Sequence, residues 1–193
     1  MKTLTQMKLW FLGAALVLAG FAGSLKAEVV DIHVSINASK SLQALTTYYY
    51  FGALGIDASS NSATSITVRN TSGALIETYK MSAGNAIADG VGTDWTLDET
   101  TPSEDHYVLS AQFGTDRPAD ATDGNWGSDN LTITPTECDD VAFGNGTLNQ
   151  SGKNVSPLVA GNVRDRNLWF RMKTPTIVND SGPHTALVTL SVK

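Results

Sequence analysis

Cysteine is almost absent from this chain, since Cys138 is the only one among 193 residues. A disulfide within the chain is therefore excluded. A domain of this size can bury about 70% of its unfolded surface without such crosslinks. Cys138 either bridges two molecules or lies inside the protein as a small buried side chain, and burial is the ordinary case.

Motifs for catalysis and for metal binding are also lacking. The three histidines, His33, His106 and His184, are not spaced as in His-Glu-x-x-His. No Gly-x-Ser-x-Gly elbow is present to carry a hydrolase serine. We therefore expect a protein that is not an enzyme, with no catalytic residue and no cofactor. A pair of carboxylates placed as in a glycosidase could not be identified from the sequence, because the distance between them depends on the fold.

Positive charge is scarce. Lys and Arg number 13 against 19 Asp and Glu, for a formal charge of −6. Loss of residues 1–27 would remove three lysines and no acid, and would take the charge to −9. A negative surface repels phosphate backbones and anionic membranes, so nucleic acid and peripheral lipid are disfavoured as partners.

Long apolar runs are confined to the N-terminus. Lys2 and Lys8 precede an apolar stretch over residues 9–22, and Ala27 supplies the small residue of a cleavage site. We expect residues 1–27 to be a cleavable signal peptide, with an uncleaved anchor as the alternative. Residues 28–193 then form one domain that is secreted or displayed on the cell surface, with the periplasm as another possibility, and without a membrane span after cleavage.

Helical periodicity is nearly absent, and alternation of apolar and polar residues takes its place. In the first such segment Val30, Ile32, Val34 and Ile36 share one face of an extended strand. Further strands are predicted at residues 94–97, 106–113, 130–134, 168–173 and 185–192.

Residues 65–70 and 74–81 flank Thr71-Ser-Gly73, where glycine can take the positive φ of a tight turn. This pattern predicts a hairpin. With seven to nine short strands in all, the sequence favours an all-β fold, a two-sheet antiparallel sandwich of the immunoglobulin-like kind, with a jelly roll as its rival.

A series of short blocks resembles secreted immunoglobulin-like β-sandwich surface proteins of environmental bacteria. The blocks are residues 50–52, 65–70, 77–79, 95, 102, 106–113 and 167–175, followed by a terminal Thr/Val strand. The resemblance spans most of residues 28–193. It implies the fold and an exported location, and it carries over no catalytic residues.

Two long loops and two tryptophans suggest a binding role. Residues 114–129 are rich in Asp and Gly and include Trp126, and residues 142–161 are rich in Gly and Asn. Sugar rings stack on aromatic faces, so Trp126 and Trp169 are candidate ligand-binding residues, with ordinary packing as the alternative. Asp116, Asp120, Asp123, Asn125 and Asp129 offer the oxygen ligands that Ca²⁺ accepts, although a solvated loop has the same composition.

The first strand suggests a different role. Val30, Ile32, Val34 and Ile36 could complete the sheet of a neighbouring molecule, as in strand addition, or pair within their own domain. We therefore expect a non-enzymatic structural protein of the cell surface or matrix that partners itself or other surface proteins, with assembly into filaments as one form. The alternative is a carbohydrate-binding or adhesive module whose partners are glycans.

Overall fold

The fold is all-β. A computed structural model describes residues 29–38, 41–118, 126, 129–139, 141–144, 150–158 and 164–193, and these contain eleven strands and no helix. The strands are β1 (Val29–Ala38), β2 (Leu42–Ala44), β3 (Tyr48–Gly55), β4 (Ser59–Asn61), β5 (Ile66–Asn70), β6 (Tyr79–Ala88), β7 (Thr96–Leu97), β8 (His106–Phe113), β9 (Thr136–Glu137), β10 (Asp165–Lys173) and β11 (His184–Val192). Within the described ranges there is accordingly no helix that could cross a membrane. The proposed signal peptide, residues 1–27, lies outside them.

The strands form two sheets that pack together. Sheet A has the order β3-β1-β11-β6-β9, and sheet B has the order β2-β5-β10-β8-β7, with β4 also pairing with β10. The predicted antiparallel pattern holds for most pairs, but β1 runs parallel to β11 and β7 runs parallel to β8. Both sheets are therefore mixed. The first and last strands can lie side by side in one direction because everything between them serves as the crossover connection.

The core lies between the inner faces of the two sheets. Alternation along β1 places Val30, Ile32 and Val34 at 0% exposure and Ile36 at 6%, as the sequence predicted. On β11 the buried apolar residues are Ala186, Val188 and Leu190, again every second position. Sheet B contributes a matching set: Leu109, Ala111, Phe113, Leu168, Phe170 and Met172. Each large apolar side chain buried in this way contributes about 1.5–3 kcal/mol.

The predicted hairpin over residues 65–81 is wrong. β5 belongs to sheet B and β6 to sheet A, so the turn between them leads from one sheet to the other. The buried Asn70 explains the change of direction, because its amide donates to the carbonyls of Leu75 (2.9 Å) and Val155 (2.8 Å). Gly73 does have the predicted positive φ, at 82°.

Residues 130–134 do not form the predicted strand, because they pair with no neighbouring strand over more than one residue. Asn130 forms one bridge with Ser110, and Leu131 N donates to the Leu109 carbonyl in sheet B. One residue later, the Thr132 carbonyl accepts from Ala83 N in sheet A. The segment therefore crosses from one sheet to the other and cannot extend either of them.

Candidate ligand-binding cleft

The outer face of sheet B carries polar side chains where β8 and β10 pair. Since side chains alternate along a strand, Ser110 and Arg171 point away from the core, and they are register partners across the two strands. Ser110 is 1% exposed and Arg171 is 7% exposed. Burial on this outer side means that further chain covers the sheet here.

The cover includes a segment that Asp129 attaches to the sheet. Ala111 N donates to the Asp129 carbonyl at 2.9 Å, and Asp129 N donates to the Trp126 carbonyl at 3.0 Å. The Asp129 carboxylate accepts hydrogen bonds from Phe143 N and from the amide of Gln112. Trp126 is thus held above β8 by backbone and side-chain bonds that both involve Asp129.

Burial perturbs the acid–base behaviour of Asp129. The carboxylate is removed from water, which raises its pKa to about 6, while the hydrogen bonds from Phe143 and Gln112 oppose the rise. The acid form is the one that burial favours. The anchor of the Trp126 segment is therefore a titratable group.

Beside this anchor the outer face opens into a cleft of about 670 Å³. Ser110, Arg171 and Lys173 line it from the strands, and Trp126 lines it from the covering segment. The rest of the described lining comes from residues 99–102 and from Asn130 and Thr132. The volume lies in the range of small-molecule sites, about 300–1,000 Å³.

Hydrogen bonds make the rim of the cleft well defined. Ser110 Oγ donates to Asn130 Oδ1 at 2.6 Å, and Asn130 Nδ2 donates to the Glu99 carbonyl at 2.7 Å. Asp98 accepts from the backbone N–H groups of Thr100 and Thr101, and these bonds lower its pKa. The turn that carries Glu99 is therefore braced at both ends.

A smaller cleft of about 320 Å³ adjoins the same strand. It is lined by residues 59–61 of β4 together with Arg117 and Arg171, so Arg171 lines both clefts. Arg171 Nε donates to Ser59 Oγ at 2.9 Å, and Arg117 Nε donates to the Ser62 carbonyl at 2.9 Å. These bonds hold both guanidinium groups against sheet B.

The structure separates the two tryptophans chosen from the sequence. Trp126 lines the larger cleft but is only 2% exposed, and its indole Nε1 is buried without a hydrogen-bond partner among the residues that the structure describes. Trp169 is 8% exposed and donates from Nε1 to the Gly114 carbonyl at 3.0 Å. The two do not form one exposed aromatic platform, and their role in ligand binding stays a prediction.

The histidines lie apart from this cleft. His106 Nδ1 lies 3.8 Å from Asp98 Oδ2, the His33 ring contacts Tyr50, and His184 is buried beside Trp95. In the part of the chain that the structure describes, no three His, Cys, Asp or Glu residues are grouped to hold a metal. Of the suggested calcium ligands, Asp120, Asp123 and Asn125 lie outside the described residues.

Several residues of the cleft were not identified from the sequence. Ser110 and Arg171 stand on predicted strands, but only strand pairing brings them together across 61 positions of the chain. Asn130 was assigned to a strand of its own. One signal was available, namely two polar residues, Ser110 and Gln112, on the second face of an otherwise apolar strand.

Comparisons with protein-family models, with curated proteins and with solved structures find no match to this chain.

Proposed function

We propose that this protein is an exported, non-enzymatic component of the cell surface or extracellular matrix, and that its cleft on sheet B holds a carbohydrate. The two packed sheets are proposed to be of the immunoglobulin-like kind. Residues 1–27 are proposed to direct export and to be removed. The observation that carries the carbohydrate proposal is the cleft itself, with Trp126 in its lining.

The lining suits a ligand rich in hydroxyl groups. A hydroxyl both donates and accepts hydrogen bonds, and the cleft offers the Lys173 ammonium as a donor and the Glu99 carboxylate as an acceptor, with Ser110 Oγ, which donates to Asn130, as a further acceptor.

The indole of Trp126 supplies a further argument. Its Nε1–H is buried and has no partner within the described ranges, and such groups are rare because an unmade hydrogen bond is costly. Because Trp126 is 2% exposed, a sugar oxygen could accept this hydrogen bond, and the ring could offer its apolar face, once the side chain turns toward the cleft. A bound carbohydrate would therefore remove a cost present in the unliganded protein.

The test is binding of the secreted protein to a panel of neutral and acidic polysaccharides, measured by affinity electrophoresis. Trp126→Phe keeps an aromatic ring and removes the indole N–H, and we expect binding about tenfold weaker. The matched control is Leu187→Ala, because Leu187 is 45% exposed on β11 of the other sheet. Its binding should equal that of the parent.

A second variant guards against a folding defect in Trp126→Phe. Glu99 is exposed on the rim, so Glu99→Gln changes an acceptor without disturbing the core. Weaker binding by this variant at an unchanged melting temperature supports the proposal. Absence of binding to every polysaccharide, or equal binding by parent and both cleft variants, overturns it.

Export is tested separately by the mass of the mature protein. Expression in a bacterium with a general secretion pathway should release a product that begins at Glu28. A product that retains residues 1–27 would contradict the signal-peptide proposal and would favour an uncleaved anchor.

A further inference from the structure

β1 occupies a slot between two strands that do not pair with each other. On one side it pairs with β3, from Val29 with Gly55 to Ser35 with Tyr48, and on the other with β11, from Ile32 with His184 to Ala38 with Leu190. Sheet A contains no other link between β3 and β11. Without β1 the sheet would divide, and both edges of the slot would lose their hydrogen-bond partners.

The slot demands a strand of one particular pattern. Its inner side is part of the core, where Val30, Ile32, Val34 and Ile36 are buried to between 0 and 6% exposure. At about 1.5–3 kcal/mol for each side chain, an empty slot would cost the domain a large part of its stability. Any occupant therefore needs four apolar residues at every second position.

The outer side of β1 also makes specific contacts with β3. The Tyr50 hydroxyl donates to Asp31 Oδ1 at 3.0 Å, and the His33 and Tyr50 rings meet edge to face with centroids 4.7 Å apart. Both faces of β1 therefore make specific contacts with the rest of the domain. β1 itself is the segment that makes all of these contacts.

A short connection ties β1 to the other strands. β1 ends at Ala38 in sheet A and β2 begins at Leu42 in sheet B, with three residues between them. Connections of so few residues between neighbouring elements favour strand exchange between molecules, in which every strand contact is remade.

From this arrangement we propose that β1 leaves its own domain and fills the slot of a second copy of this chain, linking copies head to tail. The structure shows the closed form, and the exchanged form has the same contacts made between molecules. Each copy donates its strand to the next copy and receives one from the copy before it, rather than exchanging with a single partner, so the assembly stays open at both ends and grows into a filament. The inference rests on removal of residues 1–27, as proposed above, and is independent of the cleft.

The experiment uses two single-cysteine additions in separate molecules. Ser35 on β1 and Tyr48 on β3 are antiparallel register partners, and such pairs have Cα atoms about 4.5–5.5 Å apart, within the reach of a disulfide. The mature Ser35→Cys and Tyr48→Cys proteins are mixed, unfolded, refolded together at high concentration and oxidised. A disulfide between positions 35 and 48 in excess of the random collisions measured in the control mixture then reports β1 of one molecule beside β3 of another.

We expect the mixture to give crosslinked species that increase with concentration, together with filaments of the parent protein in negative-stain micrographs. The control mixture pairs Ser35→Cys with Ile133→Cys, since Ile133 is 66% exposed on the segment between the sheets and is no partner of β1. Its 35–133 crosslink should stay at the level of random collisions. Insertion of four glycines after Lys40 should shift the population to monomers because it relaxes the hinge.

The proposal is overturned if the Ser35→Cys, Tyr48→Cys double variant forms its disulfide within a monomer while the mixture forms no more crosslink than the control mixture does. Filaments without the 35–48 crosslink would also overturn it, because association would then use another surface. Loss of polysaccharide binding would leave this result untouched, so the two proposals fail separately.

Discussion

The imidazole of His184 stacks on the indole of Trp95, with ring centroids 4.0 Å apart and planes inclined by 18°. Both residues are fully buried. His184 Nδ1 lies 2.8 Å from the Gly182 carbonyl oxygen, and Nε2 lies 2.9 Å from the Thr93 carbonyl oxygen. The ring therefore joins the connection after β6 to the turn before β11, at one end of the sandwich.

We expect His184→Leu to lower the free energy of unfolding by about 1–3 kcal/mol, because it removes the ring stacked on Trp95 and leaves at least one of the Gly182 and Thr93 carbonyls without its donor. Urea denaturation would measure the loss. His33→Leu is the control, since His33 is only partly buried on β1 and contacts Tyr50 with its ring edge. Equal losses in the two variants would contradict the bridging role of His184.

Asp129 should make stability depend on pH. Burial raises its pKa from the ordinary 3.8 to about 6, so the folded protein binds its proton more tightly than the unfolded chain does. The stabilisation is then complete below pH about 4 and is lost as the pH rises through about 6. A difference of about two units between the folded and unfolded pKa of Asp129 corresponds to about 1–3 kcal/mol in the free energy of unfolding.

Asp129→Asn tests this assignment, because the amide oxygen can still accept from Phe143 N but the group no longer titrates. The decline in the free energy of unfolding between pH 4 and 7 should become shallower by about 1–3 kcal/mol. Asp116→Asn, at an exposed carboxylate of the same loop, is the matched control and should keep the decline of the parent. An unchanged profile for Asp129→Asn would show that another group is responsible.

Cys138 should be unreactive while the protein is folded. Its side chain is fully buried, and burial together with the nearby carboxylates of Asp139, Asp129 and Glu137 raises the pKa of the thiol. The thiolate is the reactive form, so both effects slow reaction with Ellman's reagent. We expect native protein at pH 8 to react at least about 100-fold more slowly than protein in 6 M guanidinium. Comparable rates would mean that the thiol is accessible, as an intermolecular bridge would require.

The inward and outward faces of the strands should respond differently to charge. Leu109 and Val188 are fully buried on opposite sheets, whereas Thr189, one position later, is partly exposed. Leu109→Asp and Val188→Asp should abolish folding, because each would place an unpaired carboxylate in the core. Thr189→Asp should be expressed and should melt within a few degrees of the parent. Folding of either core variant would contradict the assignment of faces.

Strands with regular alternation were predictable from the sequence alone. The prediction at residues 106–113 coincides with β8, and the four apolar residues of β1 lie inward as expected. β3 was not predicted. Gly52 has a positive φ of 78°, and the register with β1 shifts between Ile32 and His33, so alternation is interrupted at a bulge.

The partners of each strand could not be predicted in the same way. The turn at Gly73 was anticipated, but the direction of the chain after it depends on a hydrogen bond from Asn70 to Val155, which lies 85 positions away. The cleft has the same dependence, because Arg171 meets Ser110 only through the pairing of β10 with β8.

Amino-acid order by itself determined which side chains face inward, because the two-residue repeat of an extended backbone is local. Tertiary structure alone decided which strands became neighbours, that β1 and β11 run in parallel, and that Trp126 lies over β8. These outcomes depend on which arrangement buries the most apolar surface from segments that lie far apart in the chain. A local sequence pattern does not contain that information.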